Sequence, residues 1–201
     1  MAVEINPRRL AGPWLPWLDG YALDVHTTSS DFIGYNAYGY PEFATTRSPM
    51  GDLLHRLKSR GDQSTVEPIV ETVAAFLANW NIQIDAIVPV PPSNASRKHQ
   101  PVIVVATAIS ARTGIPLCES CVSKIKRTAE LKNIFARDKR DELLADAFRV
   151  DEQKTRAKRL LIFYDLYRSG ATASAIARLV MEQGGASAVY LLTLTQTRKN
   201  L

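Results

Sequence analysis

Residues that could bind a phosphorylated sugar cluster where an apolar run of the chain meets a turn of small residues. The run at 160–163 is strand-sized, and Tyr164 and Asp165 follow it directly. The next turn, Arg168-Ser169-Gly170-Ala171-Thr172, leads into an apolar helical pattern at 173–183. Such a strand–turn–helix junction directs backbone N–H groups, hydroxyls and the positive end of a helix at one point, which suits a phosphate. Because Asp165 can accept hydrogen bonds from sugar hydroxyls, the segment predicts a ribose phosphate ligand.

This segment resembles the phosphoribosyl diphosphate (PRPP) signature of type I phosphoribosyltransferases. In that signature a hydrophobic strand, two acidic residues and a Thr/Ser-Gly-x-Thr loop follow one another. Four residues of this chain fit the pattern: Asp165, Ser169, Gly170 and Thr172. Tyr164 stands at the first acidic position, and Arg168 stands at the first hydroxyl of the loop. The surrounding sequence looks most like the ComF-type, competence-protein-like branch of this family.

The resemblance implies a role for each residue of the segment. The phosphate is expected to be bound by Arg168, Ser169, Gly170, Ala171 and Thr172. Asp165 and Tyr164 are expected to act at the sugar, with Asp165 holding a Mg²⁺ ion directly or through water. A tyrosine phenol is neutral at pH 7 and does not replace the missing carboxylate. Whether the protein is an active enzyme is therefore left open.

Two further segments match the same family in order and position. The Pro-rich end of the strand at 85–90 is followed by Ser93, Arg97 and Lys98, which are expected to bind pyrophosphate. The basic stretch at 124–140 resembles a flexible loop that closes over the sugar and would use Arg127, Lys132 and Arg140. Solvated basic turns and contacts with nucleic acid are the other interpretations of these charges.

The order of the elements indicates an α/β fold. Helical patterns at 66–80, 101–113 and 173–183 alternate with strand-like runs at 85–90, 117–125, 160–163 and 188–195. This alternation predicts a mainly parallel sheet flanked by helices, like that of type I phosphoribosyltransferases, with ligands at the carboxyl ends of the strands.

The N-terminal residues are expected to form a separate small region. Residues 1–20 read as an irregular arm, and the runs at 21–28 and 42–47 read as the two strands of a β-hairpin. A short helix at 50–60 ends at Gly61. We therefore divide the chain into residues 1–65, a candidate hood over the acceptor, and an α/β core at 66–201.

Composition indicates an ordinary globular protein. The chain has 201 residues, of which 46% are hydrophobic and 22% charged, and its net charge is +5. We expect a cytoplasmic protein with no membrane segment and at most weak, salt-sensitive binding to nucleic acid. A homodimer is compatible with the sequence. The C-x-x-C pair Cys118 and Cys121 supplies half of a zinc site and is interpreted as structural.

Two functions remain open. The first is a Mg²⁺-dependent phosphoribosyltransferase, which transfers phosphoribose to or from an unidentified base with pyrophosphate as leaving group. The second is a catalytically weak or inactive protein that senses PRPP or a nucleotide, or a DNA-associated, competence-like binding protein. Tyr164 is the residue that favours the second function.

Overall fold

The computed structural model describes residues 1–92, 100–125, 144 and 146–198. The strands are β1 (Arg8–Arg9), β2 (Asp19–Val25), β3 (Ser29–Tyr35), β4 (Pro41–Thr46), β5 (Ala86–Pro89), β6 (Val122–Lys124), β7 (Phe148–Val150), β8 (Arg159–Tyr167) and β9 (Ala188–Gln196). The helices are α1 (Pro49–Arg60), α2 (Val66–Asn79), α3 (Pro101–Thr113), α4 (Glu152–Thr155) and α5 (Ala171–Glu182), with a 3-10 turn at Gln63–Thr65. None of the helices in these ranges has the length and apolar character needed to cross a membrane.

The main sheet confirms the predicted α/β architecture. Its strands lie in the order β1-β2-β9-β8-β5 within the described residues. Strands β2, β9, β8 and β5 run parallel to one another, and in this sheet only the short edge strand β1 is antiparallel. Parallel strands need crossover connections, and the helices that provide them cover both faces of the sheet.

Strand β8 shows how the two faces are built. Leu161 and Phe163 point to the side covered by α1, α2 and α3, where they pack in one buried cluster. Leu160 and Ile162 point to the other side and pack with α5 and the small β6–β7 sheet. Alternate strand residues face opposite sides, so β8 is apolar on both faces and lies in the centre of the core.

The predicted N-terminal hairpin is present, but the run at 21–28 is not its first strand. Strand β2 instead lies in the main sheet, parallel to β9, with Asp19 opposite Tyr190. The hairpin forms between β3 and β4, with a bulge between Phe32 and Gly34. Burial explains the difference, because consecutive β2 residues are buried whereas every residue of β4 is exposed. The division of the chain at residue 65 stays a prediction.

Three other predicted elements have different bounds. The run at 117–125 is not one strand, because Leu117 makes a single parallel bridge to Ile87 while β6 pairs with β7 in a separate antiparallel sheet. Strand β8 continues past the apolar run at 160–163, because β9 pairs with it as far as Tyr167. Helix α5 begins earlier than predicted, at Ala171.

An ion pair joins the amino ends of β5 and β8. The Asp85 carboxylate accepts hydrogen bonds from the backbone N–H of Arg159 at 2.8 Å and from its guanidinium at 2.7 and 3.0 Å. The Asp85 backbone N–H donates to the Arg159 carbonyl in return. These bonds set the register in which β5 and β8 run to their carboxyl ends. The Arg159 side chain, followed by its backbone N–H, lowers the pKa of Asp85 to about 2.

Replacing Asp85 with asparagine is expected to lower the free energy of unfolding at pH 7 by roughly 1 kcal/mol, because the pair is only partly buried. The folded pKa of about 2 lies below the ordinary value. The stabilisation is therefore fully present above about pH 4 and is lost as the pH falls towards 2. Urea unfolding of both proteins across this range measures the effect.

The matched control is Glu152→Gln, which removes an exposed carboxylate paired with Arg156 on α4. It is expected to change the free energy of unfolding by less than about 0.5 kcal/mol. A difference between wild type and Asp85→Asn that is the same at pH 7 and near pH 2 would contradict the assigned role of the ion pair.

Candidate functional site

A cavity of about 220 Å³ lies at the carboxyl ends of β5 and β8. After β5 the chain passes into α3 on one face of the sheet, and after β8 it passes into α5 on the other face. Neighbouring parallel strands whose helices diverge to opposite faces leave a crevice between them, which is the usual ligand position in open α/β sheets. The topology therefore creates the cavity.

The described lining residues come from five parts of the fold. Helix α1 contributes Lys58, and the segment after β5 contributes Val90, Pro91 and Pro92. The start of α3 contributes Gln100, Pro101, Val102 and Ile103, and the β6–β7 region contributes Lys124, Leu144 and Phe148. The β8–α5 junction contributes Tyr164, Asp165 and Thr172. The described lining thus combines apolar side chains with the charged side chains of Lys58, Lys124 and Asp165.

Two helices point their amino ends at this cavity. The side chain of Gln100 does not cap α3, and Gly170, before α5, has no side chain to cap with. Helix α1 differs, because its N-terminal Gly51 N–H donates to the Ser48 hydroxyl at 3.0 Å. Uncapped helix starts offer backbone N–H groups and positive partial charge to an anion. Two of them at one cavity favour a ligand with negative groups.

Gly170 makes the turn into α5 possible. Its φ of 79° lies in the left-handed region, where a side chain is strained. A Cβ atom here would also overlap the phenol ring of Tyr167. Of the residues assigned to phosphate binding, Thr172 lines the cavity, Gly170 and Ala171 are buried or partly buried, and Arg168 and Ser169 are exposed.

Tyr164 and Asp165 both reach the cavity, although they are consecutive in β8. The Tyr164 side chain packs on the α5 side of the sheet. Burial raises the pKa of Tyr164, the negative charge of Asp165 raises it further, and a hydrogen bond with Thr172 opposes both effects. The phenol therefore stays neutral, and Asp165 is the acidic residue among the described lining residues.

Two lysines that the sequence interpretation did not assign to the site also line the cavity. The Lys58 Nζ donates a hydrogen bond to Asp165 Oδ2 at 2.5 Å, although the two residues are 107 positions apart in the chain. Lys124, on β6, is partly buried, and this burial lowers its pKa. The two ammonium groups and one carboxylate leave the described lining with a positive balance.

A sequence signal for Lys58 does exist. The buried face of α1 contains Met50, Leu53, Leu54 and Leu57, which repeat at helical spacing. Lys58 follows four residues after Leu54 and so lies on the edge of the same face. A lysine in this position needs a partner when the helix packs. The partner cannot be identified locally, because it lies on a distant strand.

Several predicted site residues lie outside the described residues. Ser93, Arg97 and Lys98, assigned to pyrophosphate, fall within 93–99. Arg127, Lys132 and Arg140, assigned to the flexible loop, fall within 126–143. The described neighbours of both segments do line the cavity, at Pro92, Gln100 and Lys124.

The described residues alone do not form a Mg²⁺ site at Asp165, so an ion there would need further oxygen ligands from water or from the diphosphate of a bound ligand. Magnesium requires oxygen ligands in octahedral geometry, whereas one oxygen of Asp165 is already bonded to the Lys58 ammonium. Tyr164 adds no negative charge beside it. No group of three or more His, Cys, Asp or Glu side chains suited to a metal occurs within the described ranges.

Cys118 and Cys121 form a disulfide bond. The Cys121 side chain is fully buried in the cluster that also contains Val122 and Phe148. The bond closes the turn between the Leu117 bridge and β6, and the same short segment carries Lys124. This agrees with a structural interpretation of the pair.

No protein-family model matches the chain, and no curated protein matches it. Solved phosphoribosyltransferase structures do resemble it in part. The UMP synthase of Leishmania donovani is 15% identical, with a TM-score of 0.42 over 83% of this chain and 28% of that chain. The chain therefore spans less than a third of the length of that enzyme.

Two adenine phosphoribosyltransferases are similar over more of their length. The Leishmania donovani enzyme is 11% identical, with a TM-score of 0.48 over 88% of this chain and 71% of that chain. The Trypanosoma brucei enzyme, in complex with AMP, pyrophosphate and ribose-5-phosphate, is 13% identical, with a TM-score of 0.47 over 87% and 70%. Likeness at this level carries no argument about the site, which is interpreted from its own geometry.

Proposed function

We propose that the cavity binds a phosphoribosyl ligand, either PRPP or a nucleoside 5′-phosphate, and that the protein is a phosphoribosyltransferase-like protein. The observation that carries the proposal is that two helix amino ends, two lysines and one aspartate meet at a single cavity. This cavity lies where the helices that follow β5 and β8 diverge to opposite faces of the sheet. A phosphorylated sugar has the complementary groups, because it combines negative phosphates with hydroxyls that donate hydrogen bonds.

The geometry supports an orientation for this ligand. The 5-phosphate lies at the start of α5, where the Thr172 side chain lines the cavity and the helix start offers backbone N–H groups. The ribose lies against β8, where Asp165 accepts hydrogen bonds from its hydroxyls. The diphosphate of PRPP extends towards the start of α3 and the segment after β5. Arg97 and Lys98 stay candidates for its charged contacts.

The reaction that such a site supports is displacement at C1 of the sugar. A nitrogen of the base forms a bond to C1 while the bond from C1 to the pyrophosphate oxygen breaks, and the electron pair of that bond leaves with pyrophosphate. Positive charge develops on the sugar ring, which Asp165 stabilises, and negative charge develops on the leaving group, which Lys58, Lys124 and the start of α3 stabilise.

A second candidate function is a PRPP or nucleotide sensor with little catalytic activity. The neutral phenol of Tyr164 favours it, because the resemblance expects a carboxylate there and the phenol cannot stabilise a developing positive charge equally well. Ligand binding depends on the helix starts and the lysines, so it persists in either case. A cytoplasmic location, a homodimer and weak nucleic-acid binding remain proposals alongside both functions.

Asp165→Asn is expected to weaken the binding of ribose 5-phosphate by about 10- to 100-fold, roughly 1–3 kcal/mol, because charge-assisted hydrogen bonds to the sugar are lost. Isothermal titration calorimetry measures the dissociation constants. Asp151→Asn is the matched control, since Asp151 pairs with Lys154 outside the cavity lining. If Asp165→Asn binds ribose 5-phosphate as tightly as the wild type, the placement of the sugar against β8 is wrong.

Tyr164→Asp is expected to raise the rate of pyrophosphate release from PRPP by roughly 30- to 1000-fold with a suitable base, if the carboxylate contributes about 2–4 kcal/mol to the transition state. Tyr164→Phe is the control and should not raise the rate, because it introduces no carboxylate. The measurement is a coupled pyrophosphate assay with a panel of bases. If the wild type turns over PRPP rapidly and Tyr164→Asp is slower, the active site depends on the phenol.

A further inference from the structure

The ion pair between Lys58 and Asp165 links α1 to β8 inside the cavity. The two side chains are 30% and 12% exposed, so the pair is largely shielded from water. Helix α1 holds the lysine in position, because Leu54 and Leu57 are buried against the sheet. Core packing therefore fixes the backbone of Lys58, and the bond to Asp165 holds its ammonium group.

The charges around this pair already suit an anion. Asp165 is compensated by Lys58, and Tyr164 beside it is neutral. Lys124 adds a second ammonium group to the described lining. A phosphorylated ligand that enters the cavity therefore meets a positive balance of charge without any added metal ion.

A divalent cation at Asp165 would have to compete with Lys58. The lysine is tethered to the same domain, so its effective concentration at Asp165 is high, whereas the ion must come from solution. Like charges that share a shielded site repel each other more strongly than they do in water. Lys58 also carries three N–H donors, of which the bond to Asp165 uses one.

We propose that the ammonium group of Lys58 replaces the divalent cation, so that this protein binds its phosphoribosyl ligand without Mg²⁺. This inference rests on the proposed function, because it concerns the same cavity. Lys58 donates hydrogen bonds to the sugar hydroxyls or the diphosphate oxygens, and Asp165 keeps the ammonium in position. The substitution at Tyr164 is consistent with this arrangement, because one carboxylate suffices to hold one ammonium.

Calorimetric titration of the full chain with PRPP tests the inference, in one buffer with EDTA and in another with millimolar Mg²⁺. For the wild type, the dissociation constants in the two buffers are expected to agree within about threefold. Lys58→Met is expected to weaken binding in EDTA by about 10- to 100-fold, because a charge-assisted contact is lost. Added Mg²⁺ should restore part of that loss, since Asp165 is then open to the ion.

Two further variants complete the experiment. Lys58→Arg retains the charge and is expected to bind PRPP in EDTA within about tenfold of the wild type. Lys154→Met removes a lysine from an ion pair with Asp151 outside the cavity lining and is expected to leave binding unchanged. Thermal unfolding followed by circular dichroism establishes that each variant is folded.

The outcomes separate this inference from the proposed function. Wild-type protein that binds PRPP only with Mg²⁺ overturns the role of Lys58 and leaves the proposed function standing. Equal binding by wild type and folded Lys58→Met in EDTA overturns it as well. Wild-type protein that binds neither PRPP nor ribose 5-phosphate in either buffer overturns both.

Discussion

The parallel pairing of β5 with β8 is the constraint on which the rest of the site depends. Asp85 and Arg159 hold the amino ends of the two strands together, and the register carries Val88 opposite Ile162. Because the helices that follow these strands lie on opposite faces of the sheet, a crevice has to open at the carboxyl ends. A shift of one residue along β8 would exchange Tyr164 and Asp165 between the two faces.

The charges within the crevice come from elements with different structural roles. Helix α1 contributes Lys58 while its buried face forms part of the core. Strand β6 contributes Lys124 from a small sheet that follows the turn closed by the disulfide. Only Tyr164, Asp165 and Thr172 come from the segment that resembles the PRPP signature. The functional character of the cavity therefore depends as much on packing between distant elements as on that signature.

Local sequence patterns predicted the parts of the structure that local forces determine. The apolar run before Asp165, the glycine turn at Gly170 and the following helix all appear in the expected order. Strand β2 was assigned to the wrong partner, because strand propensity does not reveal whether a strand pairs with its neighbour or with one far along the chain. The contact of Lys58 with Asp165 was missed for the same reason, since it forms only when α1 packs on the sheet.

An NMR titration of isotope-labelled protein with ribose 5-phosphate tests most directly whether this crevice is the ligand site. The largest chemical-shift changes are predicted for the backbone amides of Ala171 and Thr172 at the start of α5, together with Asp165 on β8. Residues around a second cavity near Arg47 and Arg198 should change little. Changes confined to that second cavity, or no changes at saturating ligand, would contradict the assignment of a phosphoribosyl site to the ends of β5 and β8.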